Sequence, residues 1–224
     1  MLLHLPQVLT PDELGQARAW LAAGAWTGGQ HTAGRQSAQV KDNAQLDPTH
    51  PLTQRLQQLV LQALERHLLF FSAALPKKIW PPAFNRYAGG QTYGDHVDQG
   101  IRTREGLRLR ADLSCTLFFS EPEAYEGGEL VTELGGQPFR VKGRAGDAVL
   151  YLGHTVHRVE PVTRGERLAS FFWVESLVRA PEQRELLFNM DRALSALRQR
   201  DGESPEAVAL MGTYHHLLRM WADS

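Results

Sequence analysis

Cysteine is nearly absent from this chain: Cys115 is its one cysteine among 224 residues. A single thiol excludes an internal disulfide framework and is typical of proteins kept in a reducing compartment. Apolar runs are short as well, and none approaches the roughly 20 residues that span a bilayer. The N-terminus also lacks the basic flank and small-residue cleavage site of a signal peptide. We therefore predict a cytoplasmic protein with no membrane partner.

An excess of charge of either sign is also lacking, because 24 basic residues are balanced by 25 acidic ones. Nucleic-acid-binding domains usually carry a strongly basic face, so we expect no nucleic-acid partner. The sequence shows no long repeat and no low-complexity tract, which excludes a solenoid. What remains is an ordinary globular composition, with 42% hydrophobic and 22% charged residues, able to bury a core.

Helical patterns occupy both ends of the chain. A threonine N-cap, a proline in the first turn and a capping-box glutamate predict a helix that begins at Pro11. Leucines recur at helical spacing over residues 51–69 and predict a second amphipathic helix. The Gly- and Ser-rich stretch 27–38 between them predicts a loop or weak hairpin. Near the C-terminus the helical period returns, and a last helix begins at Ser204.

The middle of the chain has β-like segments punctuated by Gly, Pro and Asn. The predicted strands are 79–87, 93–98, 111–119, 128–133, 138–142, 147–151, 156–160 and 167–175. Strands at this spacing without intervening helices predict a sandwich or jelly roll rather than a parallel α/β sheet. We therefore divide this mainly β chain into an N-terminal helical and loop support (1–77), a β core (78–177) and a C-terminal helical extension (178–224).

Four residues in this β core suggest its chemistry. His96 and Asp98 would share one face of a strand, and His157 follows 59 residues after Asp98. Two histidines and a carboxylate on one face of an iron leave three positions open for substrate and oxygen. Arg167 follows His157 by ten residues, in phase with apolar core positions. A buried guanidinium requires an anion and binds carboxylates bidentately. The set predicts a non-haem Fe(II) oxygenase with a keto acid anchored by Arg167.

At this point the sequence resembles a known family, the Fe(II)/2-oxoglutarate-dependent dioxygenases of the prolyl 4-hydroxylase-like branch. It looks most similar to the bacterial PKHD-type hydroxylases, over nearly the whole chain. The segments that carry the resemblance are R-Y-A-G-G-Q-T-Y-G-D-H-V-D (Arg86 to Asp98), L-S-C-T-L-F-F-S (Leu113 to Ser120), Y-E-G-G-E-L (Tyr125 to Leu130), G-D-A-V-L-Y (Gly146 to Tyr151), H-R-V-E-P-V-T-R-G-E-R (His157 to Arg167) and T-A-G-R-Q-S-A-Q-V-K-D-N (Thr32 to Asn43).

The resemblance implies a double-stranded β-helix, or jelly roll, with iron held by His96, Asp98 and His157. It also implies that Arg167 anchors 2-oxoglutarate, which O2 oxidises to succinate and CO2 as a small-molecule or peptide substrate is hydroxylated. Tyr87 lies close to where relatives place a tyrosine that hydrogen-bonds the keto acid, although a buried core tyrosine would have the same pattern. L-ascorbate is a further cofactor that the resemblance allows.

Two alternatives to this interpretation stay open. A non-catalytic, cupin-like iron-binding or iron-sensing module would need the two histidines and the aspartate but not Arg167. The basic run from Arg102 to Arg110 is either a solvated strand edge or a positively charged lip that attracts an anionic substrate or 2-oxoglutarate. Lys41, Asn43 and Gln45 alternate as on a strand, and we expect them to line the substrate entrance.

Several other side chains receive structural or partner roles. Tyr93 would face away from His96 on an ideal strand, and His154 away from His157, so neither is expected at the metal. Phe171 and Trp173, in phase with Arg167, are candidates for an apolar wall around the oxidant. His215 and His216 are expected in solvent. Tyr214 and Trp221, in the last helix, are candidates for a homodimer interface.

Overall fold

The computed structural model describes residues 1–32, 35–104 and 106–223. The helices are α1 (Pro11–Ala22), α2 (Arg35–Ala38), α3 (Pro51–Glu65), α4 (Leu68–Ala74), α5 (Pro181–Asp201) and α6 (Pro205–Trp221), with 3₁₀ turns at Gly29–Thr32 and Pro122–Ala124. The strands are β1 (Leu2–Leu5), β2 (Trp26–Gly28), β3 (Lys41–Asp42), β4 (Ala44–Leu46), β5 (Pro76–Ile79), β6 (Ala83–Ala88), β7 (Thr92–His96), β8 (Ile101–Arg104), β9 (Leu107–Arg110), β10 (Leu113–Phe118), β11 (Tyr125–Gly127), β12 (Leu130–Leu134), β13 (Gln137–Val141), β14 (Ala148–Leu152), β15 (His157–Val159) and β16 (Val162–Ser176). None of the helices formed by these residues has the length and apolar character needed to cross a bilayer.

Two facing sheets and a hairpin make up the β part of the described chain. The larger sheet has the order β1-β14-β10-β16-β6-β4-β2, with β5 and β11 also paired to β16. The smaller sheet has the order β13-β12-β15-β7-β3, and β8 pairs with β9 in a separate hairpin. The pairs that build the two sheets, such as β10 with β16 and β12 with β15, are antiparallel. This architecture confirms the predicted mainly β fold with helices at both ends.

The larger sheet is buried on both faces, which explains why β10 has no exposed residue. On one face, Leu113, Cys115 and Leu117 pack in a cluster that includes Leu56 and Val60 of α3. A second cluster lies between the two sheets and joins Tyr87, Val149 and Tyr151 of the larger sheet to Leu130 and Val159 of the smaller one. The candidate functional residues lie in this second layer, because alternation along a strand sends every other side chain inward.

Helix α5 packs on α4 and on α6, and both C-terminal helices join a cluster with Val178, just beyond β16. The Ser72 hydroxyl donates to the Asp191 carboxylate over 2.6 Å, and Tyr214 is buried in a cluster with Val178 and Leu187. Trp221 packs against the same cluster. The Tyr214 ring is therefore largely covered by its own chain, and a homodimer through the C-terminal helices stays a prediction.

Some predicted boundaries differ from the structure for local reasons. The predicted strand 79–87 is divided into β5 and β6 by Pro81 and Pro82, because proline removes a ladder donor and restricts the residue before it. The predicted helix 51–69 ends at Glu65, and α4 begins beyond His67, whose ring accepts a hydrogen bond from the Phe70 amide at 3.2 Å.

Other predicted segments also differ from those in the structure. The basic run from Arg102 to Arg110 begins within β8 and ends with the last residue of β9, so it lies on a two-stranded hairpin. The stretch 27–38 contains the end of β2, a 3₁₀ turn and α2, whereas Ala33 and Gly34 lie outside the described residues. Strands β1 to β4 add sheet structure to the region predicted as helical and loop support, and the domain boundaries remain predictions.

A tight bend at Gly127 joins β11 to the start of β12. Its φ is +70°, and an added Cβ would overlap the carbonyl oxygen of Pro161. We therefore expect Gly127→Ala to lower the free energy of unfolding by roughly 1–3 kcal/mol, from left-handed strain and overpacking. A urea denaturation midpoint measures this. Gly136→Ala is the matched control, since its φ is +76° but nothing lies near an added Cβ; an equal loss in both variants would contradict the overlap argument.

Candidate active site

His96, Asp98 and His157 come together at one end of the smaller sheet. His96 is the last residue of β7 and pairs directly with His157, the first residue of β15. Their ring centroids are 4.2 Å apart, and the Asp98 Oδ2 lies 3.7 Å from the His157 Nε2. One ligand atom from each residue lies within 4.8 Å of the other two. This separation fits three ligands around one metal ion.

Asp98 reaches this cluster from outside the strand on which it was predicted. Strand β7 ends at His96 rather than at residue 98, so the same-face argument for the two residues does not hold as stated. The Asp98 carboxylate is instead fixed by Ser114 of β10, whose hydroxyl donates to Oδ2 over 2.7 Å. Ser114 of the larger sheet thus orients the carboxylate of Asp98, which follows the end of β7 in the smaller sheet.

Both imidazoles are oriented by a hydrogen bond from Nδ1 to the backbone carbonyl two residues earlier. The Nδ1–H of His96 donates to the Gly94 carbonyl at 2.8 Å, and that of His157 donates to the Thr155 carbonyl at 2.9 Å. Because a carbonyl has no proton to donate, each Nε2 keeps its lone pair for a metal. Burial, with a smaller contribution from His157, lowers the pKa of His96 to about 4. The imidazole is therefore neutral near pH 7, as a ligand must be.

Tyr93 lies against the cluster, and the expectation that it faces away is wrong. Its ring stacks on the His96 ring with centroids 3.6 Å apart and planes 15° apart. The pairing of β7 with β15 shifts register, matching Tyr93 to Val159 and His96 to His157. Strand β7 thus holds one more residue than its partner, and a bulge of this kind reverses which face a side chain takes.

Arg167 is buried in the layer between the sheets. It pairs with Tyr87 across β16 and β6 and is 1% exposed. None of its Nε, Nη1 and Nη2 atoms has a hydrogen-bond partner of acceptable geometry among the described residues. Its guanidinium carbon lies 5.5 Å from the ring centroids of Tyr87 and of Phe118. A buried, unpaired cation is costly, and a ligand carboxylate would relieve that cost.

Tyr87 connects Arg167 with the metal-ligand cluster. Its ring is buried and lines the cavity that contains His96, Asp98 and His157, and the Arg167 guanidinium carbon lies 5.5 Å from the centroid of that ring. Burial raises the pKa of Tyr87 to about 12, although the charge of Arg167 acts in the opposite direction. The hydroxyl therefore keeps its proton at neutral pH and can donate a hydrogen bond.

The same cavity is lined by four of the residues expected to meet a substrate, namely Lys41, Arg102, Phe171 and Trp173. Asn85, which the sequence did not suggest, lines it as well. The apolar wall predicted for Phe171 and Trp173 is therefore in place.

The remaining candidates lie at or beyond the edge of this cavity. Gln45 and Arg104 line an adjoining groove rather than the cavity itself. Asn43 is buried beside Tyr87 without lining the cavity. His154, His215 and His216 are exposed.

Comparison with known proteins identifies the family. The model of the 2OG-Fe(II) oxygenase superfamily matches residues 82–175, and that of the PKHD-type hydroxylase C-terminal domain matches residues 182–223. A PKHD-type hydroxylase of Variovorax paradoxus is 56% identical over 227 residues, covering 100% of both chains. One from a Polaromonas species is 54% identical over 228 residues with the same coverage. This chain belongs to the PKHD-type hydroxylases.

Solved structures support the fold of this PKHD-type hydroxylase. A Pseudomonas putida prolyl-4-hydroxylase superposes with a TM-score of 0.51 at 22% identity, over 78% of this chain and 92% of that one. A Trichoplax adhaerens prolyl hydroxylase, solved with a hypoxia inducible factor peptide, gives 0.54 at 12% identity, over 83% and 86%. At these identities the likeness concerns the fold alone, and it confirms the jelly roll. Family membership makes the hydroxylase an oxygenase enzyme.

Ser114 contacts a candidate metal ligand of the hydroxylase and was not predicted from the sequence. It is 2% exposed on the strand L-S-C-T-L-F, whose alternate residues Leu113, Cys115 and Leu117 pack outward against the helices. The same alternation turns the small polar residues Ser114 and Thr116 inward. A hydroxyl on the inward face of an otherwise apolar strand was the available signal.

We expect Ser114→Ala to weaken metal binding by the hydroxylase about 10–100-fold, the usual effect of losing an outer-shell partner of a metal ligand. The reason is that Asp98 loses the hydrogen bond that orients its carboxylate. Calorimetric titration with Mn(II) measures the change. Ser170→Ala is the control, because that fully buried serine donates to the Ala83 carbonyl, away from the metal ligands. Unchanged affinity in Ser114→Ala would contradict the role of its hydroxyl.

Proposed function

We propose that this hydroxylase binds Fe(II) through His96, Asp98 and His157 and 2-oxoglutarate through Arg167. It uses O2 to hydroxylate a small-molecule or peptide substrate and releases succinate and CO2. The observation that carries the proposal is the coincidence, in one layer, of a three-ligand cluster with atoms within 4.8 Å and a buried guanidinium that has no hydrogen-bond partner among the described residues.

The donor set fits ferrous iron. Two neutral imidazoles and one carboxylate are the facial set of non-haem Fe(II) oxygenases, and three coordination positions stay open beside them. Bound iron would supply the activation of O2, with 2-oxoglutarate as the reductant. The Gly94 and Thr155 carbonyls hold the two imidazoles, and Ser114 holds the carboxylate, so the ligands are oriented before a metal arrives.

Arg167 would fix the keto acid by its far carboxylate. Its planar donors match a carboxylate in two parallel hydrogen bonds, and the surrounding rings of Tyr87 and Phe118 exclude water that would otherwise compete. Tyr87, which keeps its proton, would donate to the same ligand. This pair would set the distance at which the keto end meets the metal ligands.

Apolar side chains around the ligands would protect the reaction from water. Leu130, Val159 and Tyr151, which belong to the cluster between the two sheets, line one side of the cavity. Phe171 and Trp173, whose rings meet edge to face at 5.5 Å, close another side. Exclusion of water strengthens the electrostatic interactions inside the site and limits side reactions.

A cupin-like iron-sensing module is the weaker alternative. Such a module would gain nothing from a buried guanidinium that no described residue hydrogen-bonds, and the relatives are oxygenases by family. The test is release of CO2 and succinate from 2-oxoglutarate by the protein supplied with Fe(II) and O2. Turnover supports the oxygenase, whereas metal binding without any turnover across a panel of peptides, siderophores and small metabolites supports the sensor. L-ascorbate and a cytoplasmic location remain predictions, with no residue assigned to them.

A further inference from the structure

Tyr125, the first residue of β11, is a buried tyrosine to which the proposed function gives no role. Its backbone pairs with Gly165 of β16, two residues before Arg167. The two side chains lie close together, because a Cβ on Gly128 would stand 3.0 Å from the Tyr125 Cε2 and 3.1 Å from the Arg167 Cδ. Glycine at position 128 thus leaves the space in which the tyrosine ring and the arginine stem pack side by side.

The Tyr125 hydroxyl is buried, and no residue that the structure describes gives it a hydrogen bond of acceptable geometry. The residue as a whole is 2% exposed, so bulk water does not replace the missing partner. Buried polar atoms are nearly always hydrogen-bonded, and an exception points to a group that a bound ion or ligand satisfies. Tyr125 is therefore a candidate ligand-binding residue.

Two further donor groups close to Tyr125 are buried in the same way. The Arg167 guanidinium and the Tyr87 hydroxyl likewise lack a hydrogen-bond partner within the described part of the chain. Arg167 connects the two tyrosines, since its guanidinium carbon lies 5.5 Å from the Tyr87 ring centroid and its stem packs beside Tyr125. Tyr87 also lines the cavity of the metal ligands. One acceptor at the end of a molecule that enters from this cavity would serve all three donors.

The Tyr125 hydroxyl is a donor at neutral pH. Burial raises its pKa, although the charge of Arg167 acts in the opposite direction. The same charge attracts the lone pairs of the hydroxyl and repels its proton, so the O–H is directed away from the guanidinium and can donate to a ligand.

Lys142 holds the Tyr125 ring in place. Its Nζ donates to the Tyr125 carbonyl over 2.8 Å and lies 4.2 Å from the centroid of the ring. An ammonium above a tyrosine ring is attracted by the ring electrons. The ring is thus fixed before a ligand arrives, and a donor that is already oriented loses little entropy on binding.

A carboxylate matches this group of donors. It offers about four lone-pair sites, and a guanidinium occupies two of them in parallel hydrogen bonds. The two tyrosine hydroxyls would occupy the other two. A neutral carbonyl, which has two lone pairs, would leave two of the four donor positions without an acceptor. The group therefore favours a carboxylate over a neutral polar end.

We propose that the Tyr125 hydroxyl donates to the far carboxylate of 2-oxoglutarate, beside Arg167 and Tyr87, and makes the site selective for keto acids with a carboxylate at that end. This inference rests on the proposed function and deepens it. Tyr125 is then a binding residue for the cosubstrate, and the metal ligands keep the roles proposed above.

The test compares 2-oxoglutarate with 2-oxopentanoate, in which a methyl group replaces the far carboxylate. Calorimetry measures the binding of each keto acid to the full-length hydroxylase loaded with Mn(II), without O2. We expect Tyr125→Phe to weaken the binding of 2-oxoglutarate about tenfold or more, because a hydrogen bond to a charged group is lost. The binding of 2-oxopentanoate should stay unchanged, since that ligand offers the hydroxyl no acceptor.

The control is Tyr214→Phe, whose buried ring lies in the cluster of the C-terminal helices and which should change neither affinity. Thermal melting of the ligand-free protein is the second measurement. Tyr125→Phe should melt no lower than the unmodified hydroxylase, because it removes a buried hydroxyl that no described residue hydrogen-bonds.

The outcomes separate this inference from the proposed function. If the unmodified hydroxylase does not bind 2-oxoglutarate with Mn(II), the proposed function fails. If it binds 2-oxoglutarate and Tyr125→Phe binds it equally well, or loses affinity for both keto acids to the same extent, the role of Tyr125 is overturned. A lower melting temperature of the ligand-free variant, with an unchanged preference for 2-oxoglutarate, would assign the hydroxyl a structural role instead.

Discussion

Replacing Arg167 by methionine is expected to stabilise the ligand-free hydroxylase while removing its response to 2-oxoglutarate. Its three guanidinium nitrogens are buried and have no hydrogen-bond partner in the part of the chain that the structure describes. Apolar replacement of buried ionic groups is neutral or stabilising by about 1–4 kcal/mol. For a chain of this size, that corresponds to a rise in melting temperature of up to roughly 8–16 °C at 2–4 °C per kcal/mol. Thermal melting with and without 2-oxoglutarate and Mn(II) measures both effects.

A gain in the stability of the ligand-free protein together with a loss of affinity for 2-oxoglutarate is expected only if the function of Arg167 is to bind that ligand. Binding of 2-oxoglutarate should weaken at least about 10-fold, since hydrogen bonds to a charged group contribute about 1.5–3 kcal/mol. Arg164→Met, on the same strand, is the control, because its ion pair with Glu126 is exposed on both sides and should change stability by less than about 1 kcal/mol. A less stable Arg167→Met variant that is still stabilised by 2-oxoglutarate would show that the guanidinium has a structural role instead.

Asp98→Ala is expected to abolish succinate formation, with a loss greater than the roughly 100-fold that follows removal of an outer-shell partner. The change removes the anionic member of the proposed ligand set and leaves the Ser114 hydroxyl without its acceptor. Succinate is measured at saturating 2-oxoglutarate and Fe(II).

The matched control for Asp98→Ala is Asp95→Ala. Asp95 is exposed and pairs with Arg158 at 3.2 Å, outside the ligand cluster. This variant should keep normal turnover. Ordinary turnover by Asp98→Ala would defeat the assignment of the carboxylate to the metal.

The sequence was informative where one local pattern decided the outcome. The capping box at Thr10 and Glu13 depends only on neighbours in the chain, and the structure has it. The spacing of His96, Asp98 and His157 predicted that these side chains meet, and they do so in the structure. Asp98, however, lies beyond the end of β7. The residue types and their spacing thus predicted which side chains meet, although the strand assigned to Asp98 was too long.

What the sequence could not predict depended on tertiary context. Tyr93 faces the site because β7 has one residue more than the segment of β15 that it pairs with, and parity along a single strand contains no information about its partner. The β8–β9 hairpin carries alternating arginines, a pattern typical of a solvated edge, yet Arg102 is held by Trp80 and Trp173 from distant segments. Ser114 acquires its role from a loop sixteen residues earlier.

A crystal structure of the hydroxylase with Mn(II) and 2-oxoglutarate, grown without O2, tests the central claim most directly. We expect one metal ion bonded to the Nε2 atoms of His96 and His157 and to the Asp98 carboxylate, with the far carboxylate of 2-oxoglutarate on the Arg167 guanidinium. Metal bound elsewhere, or a keto acid that leaves Arg167 unpaired, would contradict it.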